Sequence, residues 1–210
     1  MYSTFINSIK PTIEILYFIA GIIVAITAIL ALKQIKIMKH SVEIQSKRDA
    51  LTITSDQCVN YMTNIIKLQN EFNQSLKDKQ IHFLEGWNVK LNENEISLKH
   101  EGEIDYSNFK QMNYSTVCNA MEAFATYFVS QVADESVAFN TLGTTYINTV
   151  EKYLPILLIV NKSGYFKNIV KLYLIWKKRN ISIDLQEQQE NIKKEIKNCH
   201  TEVIKPIGVE

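Results

Sequence analysis

The stretch Pro11–Leu32, PTIEILYFIAGIIVAITAILAL, governs how the rest of the chain is read. From Ile15 to Leu32 it runs 18 consecutive residues without a charge, and an apolar run of that length reads as a membrane-crossing helix. Pro11 suits a first helical turn, where the missing N–H has no intrahelical partner to lose. Counted from Pro11 the segment has 22 residues, which at ~1.5 Å per residue reach about 33 Å, enough for a hydrocarbon core of roughly 30 Å. A cleaved signal peptide would have a shorter apolar region, a leader more basic than the single Lys10, and a small-x-small cleavage site. Lys33, Lys36 and Lys39 follow instead.

The flanks of this run set its expected direction. Residues 33–48 carry Lys33, Lys36, Lys39, Lys47 and Arg48 against Glu43, a balance of +4, while the first ten residues offer only Lys10. Basic residues stay on the cytoplasmic side, so the N-terminus is expected outside and the body in the cytoplasm. The sequons at Asn73, Asn113, Asn161 and Asn180 are then idle. One face of the span is small, with Gly21, Ala25 and Ala28 at i+4 and i+3 spacing, which would let backbones of neighbouring copies approach. Glu14 sits one turn inside the outer boundary, where a single helix would snorkel it to water, the favoured reading; in a parallel oligomer Glu14 and Thr27 are instead the polar candidates for lining a cation path, and one span per chain can make a pore only as an oligomer.

The chain has 210 residues, hydrophobic ones at 46% and charged ones at 21%, with only 6 Gly and 3 Pro. That length fits one domain or at most two small ones, and the composition excludes disordered, collagenous and turn-dense all-β classes. The net charge of +1 provides no global field for nucleic acid. Three widely spaced cysteines, Cys58, Cys118 and Cys199, form neither a disulfide framework nor a zinc ribbon, and read as reduced thiols.

Past the span no Gly or Pro interrupts residues 33–79. Leu51, Thr54, Cys58, Tyr61, Ile65, Leu68 and Phe72 alternate steps of three and four, which predicts one apolar helical seam packed on the rest of the domain. Ile35, Met38 and Val42 form a second seam out of phase with it, so a break or rotation is expected across Gln45 to Asp49. From Trp87 the period changes to two, giving a β-hairpin. A two-residue loop at Asn92 and Glu93 would pair Trp87 with Leu98, Val89 with Ile96 and Lys90 with Glu95, whereas a three-residue loop would oppose polar to apolar residues. A lone hairpin is marginal, so it must pack on the helices or on copies of itself. Residues 85–105 carry a balance of −4, which disfavours a large phosphate-binding surface there.

Helix resumes at Ser115, read as an N-cap, with Val117, Met121, Phe124, Ala125, Phe128 and Val132 on one buried face. A second helix from about Asp134 buries Phe139, Leu142, Tyr146, Val150 and Tyr153, and Pro155 is expected to kink or restart it. Gly164 ends that helix and Tyr165 to Arg179 forms the next. A tail from Asp184 places Leu185, Gln189, Ile192, Ile196, Cys199 and Val203 at spacings of four and three, as an oligomer seam or a strap along the body. The domain reading is an N-terminal segment and transmembrane helix (1–32), a juxtamembrane helix (33–80), a hairpin insertion serving as cap or crown (81–112), a helical domain (113–180) and an amphipathic tail helix (181–210). The fold class is therefore mainly α, an N-terminal transmembrane helix continuing into a cytosolic helical bundle with a small β-hairpin insertion.

No catalytic signature is present. His40, His82, His100 and His200 are scattered, none at metal-ligand spacing from another, and no phosphate-cradling glycine loop or nucleophile elbow occurs. An enzyme, a metal site and a cofactor are not expected. The sharper feature is Lys162 to Arg179, where Lys162, Lys167, Lys171, Lys177, Lys178 and Arg179 give +6 without an acid, interleaved with Tyr165, Phe166, Tyr173 and Trp176. Cations among aromatics suit single-stranded nucleic acid or anionic lipid. The simpler reading, a helix with core aromatics and a solvated basic rim, is favoured because Phe166, Ile169, Val170, Tyr173 and Trp176 already make a coherent buried face.

The stretches NAMEAFATYFVSQVADESVAF (Asn119 to Phe139), GTTYINTVEKY (Gly143 to Tyr153) and KLYLIW followed by Arg179 resemble a widespread group of small bacterial membrane proteins of unassigned function, with one anchor and a helical domain. Members of that group look like effectors encoded near antiphage defence genes. Anchor, helical domain and hairpin insertion together are similar to the membrane effector of Hailong-type antiphage defence. That resemblance implies an oligomeric ion channel in the bacterial inner membrane, held closed by single-stranded DNA that a partner nucleotidyltransferase makes and that binds a cytosolic crown. It rests on architecture and transfers no ligand-contacting residue. The expected function is a homo-oligomeric, lipid-embedded channel effector. A non-conducting anchored scaffold that recruits a cytosolic protein through residues 162–179 or the tail is the alternative.

Overall fold

The computed structural model describes residues 2–92, 95–104, 106, 109–161 and 164–199. The molecule is mainly helical: α1 (Tyr2–Asn60), a π-helical turn (Tyr61–Ile65), α2 (Ile66–Asp78), the antiparallel strands β1 (Trp87–Asn92) and β2 (Glu95–His100), a 3-10 turn (Phe109–Gln111), α3 (Ser115–Val129), α4 (Glu135–Asn161) and α5 (Lys167–Asn198). Contacts divide the chain into two units, Met1–Asp49 and Ala50–Glu210.

The first unit is a single helix, and every residue from Lys10 to Asp49 is exposed. By length and composition it is apolar enough to cross a membrane, and none of its most apolar window is buried. Each Å2 of such surface left in water forgoes roughly 25 cal/mol, so a continuous apolar rod of this kind demands lipid or partner helices. The break expected at Gln45 to Asp49 does not occur. α1 passes through it, with the Gln45 amide donating to Asp49 at 2.8 Å. Only burial changes there, because the Thr54–Cys58 face packs on the body and the Ile35–Met38–Val42 face does not.

In the second unit the buried seam runs Thr54, Cys58, Tyr61, Ile65, Gln69, Phe72 and Leu76, with Leu68 only half-buried. The step from Tyr61 to Ile65 to Gln69 is four plus four. In a regular α-helix eight residues overrun two turns by about 80°, and the wider π turn absorbs the excess and keeps both flanks facing one core. That core meets Val117, Cys118, Met121, Phe124, Ala125 and Phe128 of α3, the buried face of α4, and Ile169, Leu172, Tyr173 and Trp176 of α5. Trp176 is fully buried, its ring 4.9 Å from Tyr146 and 5.8 Å from Phe139.

Several boundaries differ from expectation. Ser115 is the first residue of α3 rather than its cap; Tyr114 holds that position without a side-chain bond. Val132 is exposed because α3 ends at Val129 and Gln131 turns the chain with a left-handed φ of 61°. α4 passes through Pro155 without restarting, held by burial of Tyr153 to Leu157 on both sides of it. α5 does not stop at Arg179 but continues to Asn198, since no Gly or Pro interrupts residues 167–198.

The hairpin register is shifted by two residues from the expected one. Trp87 pairs with His100, Val89 with Leu98, Lys90 with Ser97 and Asn92 with Glu95. A shift of two leaves each side chain on its expected face, and it gains an extra pair at the base: Trp87 and His100 stack edge-on at 4.8 Å while the Glu101 N–H donates to the Gly86 carbonyl at 2.9 Å. Residues 93 and 94, between the strands, lie outside the described residues. Trp87, Val89, Ile96 and Leu98 pack against the chain's own core, and the Trp87 indole donates to the Phe83 carbonyl at 2.6 Å.

Candidate functional site

The span candidates sit on one exposed helix. Glu14 is exposed, and a Cβ built on Gly21 meets nothing within 4 Å, so that face is open to a second helix. The Thr27 hydroxyl donates to the Ile23 carbonyl of its own helix at 2.7 Å. Ala25 and Ala28 are exposed on the same helix.

The basic stretch is assembled differently from its sequence pattern. Lys162 lies outside the described residues. Gly164 and Phe166 take left-handed backbone, φ 84° and 59°, to turn the chain into α5. A left-handed Phe costs on the order of 1 kcal/mol, offset by burial of its ring and by the carboxylate of Glu122 on α3. Glu122 accepts the N–H of Asn168 at 3.1 Å and of Ile169 at 2.9 Å, two of the donors that a helix N-terminus leaves unpaired. Thr126 accepts the Asn168 amide at 3.0 Å.

Further along α5, Lys177 pairs with Glu151 at 2.8 Å and Arg179 with Glu135 at 2.6 Å, the guanidinium also lying 4.8 Å above the Phe139 ring. Glu135 accepts the Trp176 indole N–H as well, and Glu151 accepts the Tyr173 hydroxyl at 3.0 Å. Two acids of α4 therefore neutralise two cations of α5 and satisfy two buried aromatics. Phe166, Tyr173 and Trp176 are buried and cannot stack on a base; Tyr165, Lys167 and Lys171 are exposed. Residues 162–179 thus join α4 to α5 first and offer only their outer row to a ligand. Burial raises the Tyr173 phenol above its ordinary range, and the neighbouring Glu151 charge adds to that.

The structure also brings together residues that sequence spacing kept apart. At the hairpin base a cleft of about 300 Å3 is lined by His82, Glu85, His100, Glu101 and Glu103. His82 Nδ1 lies 3.1 Å from Glu85, and the two ring nitrogens of His100 lie 3.1 Å from the Gly102 and Glu85 carbonyls. The paired signals were Gly86 and Gly102, both with positive φ, which close the hairpin base. Among the described residues no group of three or more His, Cys, Asp and Glu is placed to hold a metal ion.

A third feature missed in the sequence is a buried polar thread through the core. Thr54 donates to the Ala50 carbonyl and accepts the Asp134 N–H, each at 2.7 Å, and Gln69 donates to the Tyr61 hydroxyl at 3.2 Å. The Tyr146 hydroxyl donates to the Ile169 carbonyl at 3.1 Å. Among the described residues every buried side-chain polar atom has a partner, as a core requires.

A family described as "Domain of unknown function (DUF4760)" matches residues 15–176, and the chain belongs to it. The match begins inside the apolar stretch and ends at Trp176, so it takes in most of the apolar helix and the core and leaves out the α5 extension. No curated protein and no solved structure matches the chain.

Proposed function

We propose, starting from membership of this family, that the chain is a homo-oligomeric membrane effector of bacterial antiphage defence whose spans together form a gated ion channel. The observation that carries this reading is α1: one uninterrupted helix runs from the exposed apolar stretch to Thr54 and Cys58 in the core of the body. The apolar stretch and the first helix of the body thus belong to one continuous element. The N-terminus is outside the inner membrane and the body cytoplasmic, on the strength of the basic flank 33–48. Gly21, Ala25 and Ala28 let parallel spans approach, and Glu14 with Thr27 supplies the polar lining. Gating requires a ligand with different affinity for the two states. A single-stranded oligodeoxynucleotide from a partner nucleotidyltransferase, as in Hailong-type effectors, would meet Lys167 and Lys171 on the exposed side of α5 and Tyr165 just before it.

Ion flux from liposomes holding the purified full-length protein tests this. Flux is expected from wild type, lowered by added oligodeoxynucleotide, and abolished when residues 11–32 are replaced by an unrelated poly-Leu span. Liposomes that stay tight with and without oligonucleotide sink the reading.

A second reading, a non-conducting anchored scaffold, is favoured by the pairing of Lys177 and Arg179 within the body and by the low polarity of the span. It predicts a cytosolic protein captured equally well by the body without residues 1–49, and no conductance.

A further inference from the structure

From Ile15 to Val42 the chain holds no acid, and its only lysines or arginines there are Lys33, Lys36 and Lys39. All three are exposed, and among the described residues no carboxylate pairs with any of them. Basic residues at the other end of the chain have acids at hand. Lys177 pairs with Glu151 and Arg179 with Glu135. The turns from Ile181 to Cys199 are exposed throughout and so do not strap along the body, and there Lys193, Lys194 and Lys197 share one helix with Asp184, Glu187, Glu190 and Glu195.

Depth along α1 says what meets the unpaired row. The 18 uncharged residues from Ile15 to Leu32 reach about 27 Å, close to the hydrocarbon thickness of roughly 30 Å, beyond which the headgroup layer is about 5–8 Å deep on each side. On an upright helix Lys33, Lys36 and Lys39 stand about 1.5, 6 and 10.5 Å past Leu32. Their ammonium groups then lie in or just above the lipid phosphates, inside the screening length of about 8 Å at physiological salt. Lys47 stands more than about 20 Å past Leu32, roughly two screening lengths beyond that layer.

Helical phase keeps the row together. At 100° per residue, Lys33, Lys36 and Lys39 fall with His40 within about 120° of one side of α1, while Gln34, Ile35, Ile37 and Met38 fall outside that arc. Like charges three residues apart repel, and an anionic headgroup set between them replaces that repulsion by attraction. Residues 33–48 contain no Phe, Tyr or Trp, so the row offers no platform on which the bases of a single-stranded nucleic acid could stack.

We infer that Lys33, Lys36 and Lys39 bind anionic phospholipid headgroups and collect such lipids around α1. The inference rests on the membrane part of the proposed function and is independent of conduction, of defence and of any ligand of the body.

Electron spin resonance on full-length protein in phosphatidylcholine vesicles tests it, with trace spin-labelled phosphatidylglycerol or spin-labelled phosphatidylcholine reporting the share of each lipid held at the protein surface. At about 0.1 M salt the anionic label is expected to associate several-fold more strongly than the zwitterionic one. The preference should shrink towards parity at about 1 M salt, where the screening length is ~3 Å, and in Lys33→Gln/Lys36→Gln/Lys39→Gln. It should persist in Lys33→Arg/Lys36→Arg/Lys39→Arg and in Lys47→Gln. Equal association of the two labels with wild type overturns the inference and leaves the membrane reading standing, as does a glutamine variant that floats with the vesicles and is as selective as wild type. Wild-type protein that floats with no vesicles overturns both. A single-stranded oligodeoxynucleotide whose binding is lost with the three lysines, alongside equal association of the two labels, would assign the row to nucleic acid and overturn the inference as well.

Discussion

Glu122 carries the junction between α3 and α5, because its two carboxylate oxygens each take one backbone N–H of a helix start that has no cap of its own. Glu122→Ala leaves both donors without a protein partner beside a left-handed Phe166, and is expected to lower stability by about 1–2 kcal/mol. Thermal melts in detergent check this, and an unchanged midpoint would show the cap to be idle. The buried phenols set the alkaline limit. Burial holds Tyr146, Tyr153 and Tyr173 above the ordinary value of 10.0, so the folded chain binds these protons more tightly than the unfolded one. Stability should therefore be level below pH 10 and fall as pH rises beyond it. Tyr173→Phe, which removes a phenol next to Glu151, should flatten part of that fall, and a melting point unmoved up to pH 11 would contradict the assignment.

Among elements, the π turn Tyr61–Ile65 is the one whose length matters most. It adds a residue to a helix whose two flanks face the same core. Deleting exposed Thr63 would let the turn relax to regular α-helix while Thr54 to Tyr61 and Gln69 to Leu76 keep their faces, so the melting point should move by only a few degrees. Deleting Asn70 within α2 instead rotates Phe72 and Leu76 by about 100° away from the core, and should cost most of the folded state in the same melts. Equal damage from both deletions would mean that the turn is not a spare residue. The hairpin shows a parallel limit on reading elements in sequence. Alternation of Trp87, Val89, Leu91 and Ile96, Leu98 assigned the faces, yet the register came from contacts remote in sequence, His100 on Trp87 and Glu101 on Gly86.

At the scale of the whole chain, the core described here lies entirely within residues 50–199. A chain lacking residues 1–49 should therefore be soluble without detergent and retain its helical circular dichroism, whereas the full chain should need detergent or lipid. A full-length protein soluble in plain buffer would remove the membrane reading. Local pattern was enough for the long apolar helix, the seam from Thr54 to Ile65, the buried faces of α3 and α4 and the two hairpin strands, because each depends on periodicity within a few turns. Pairings did not follow from pattern. Glu135 with Arg179 and Trp176, Glu151 with Lys177, and Glu122 with the start of α5 join residues 26 to 47 apart, and these partnerships turn an apparent basic patch into a helix junction. The substitution of Gln69 for Leu68 in the seam, the passage of α4 through Pro155 and the cleft shared by His82 and His100 have the same origin. Hydrophobic periodicity is written along the chain, whereas the partner of a charge, the phase of a helix after a wide turn and the register of a strand depend on which surfaces meet once the chain has folded back on itself.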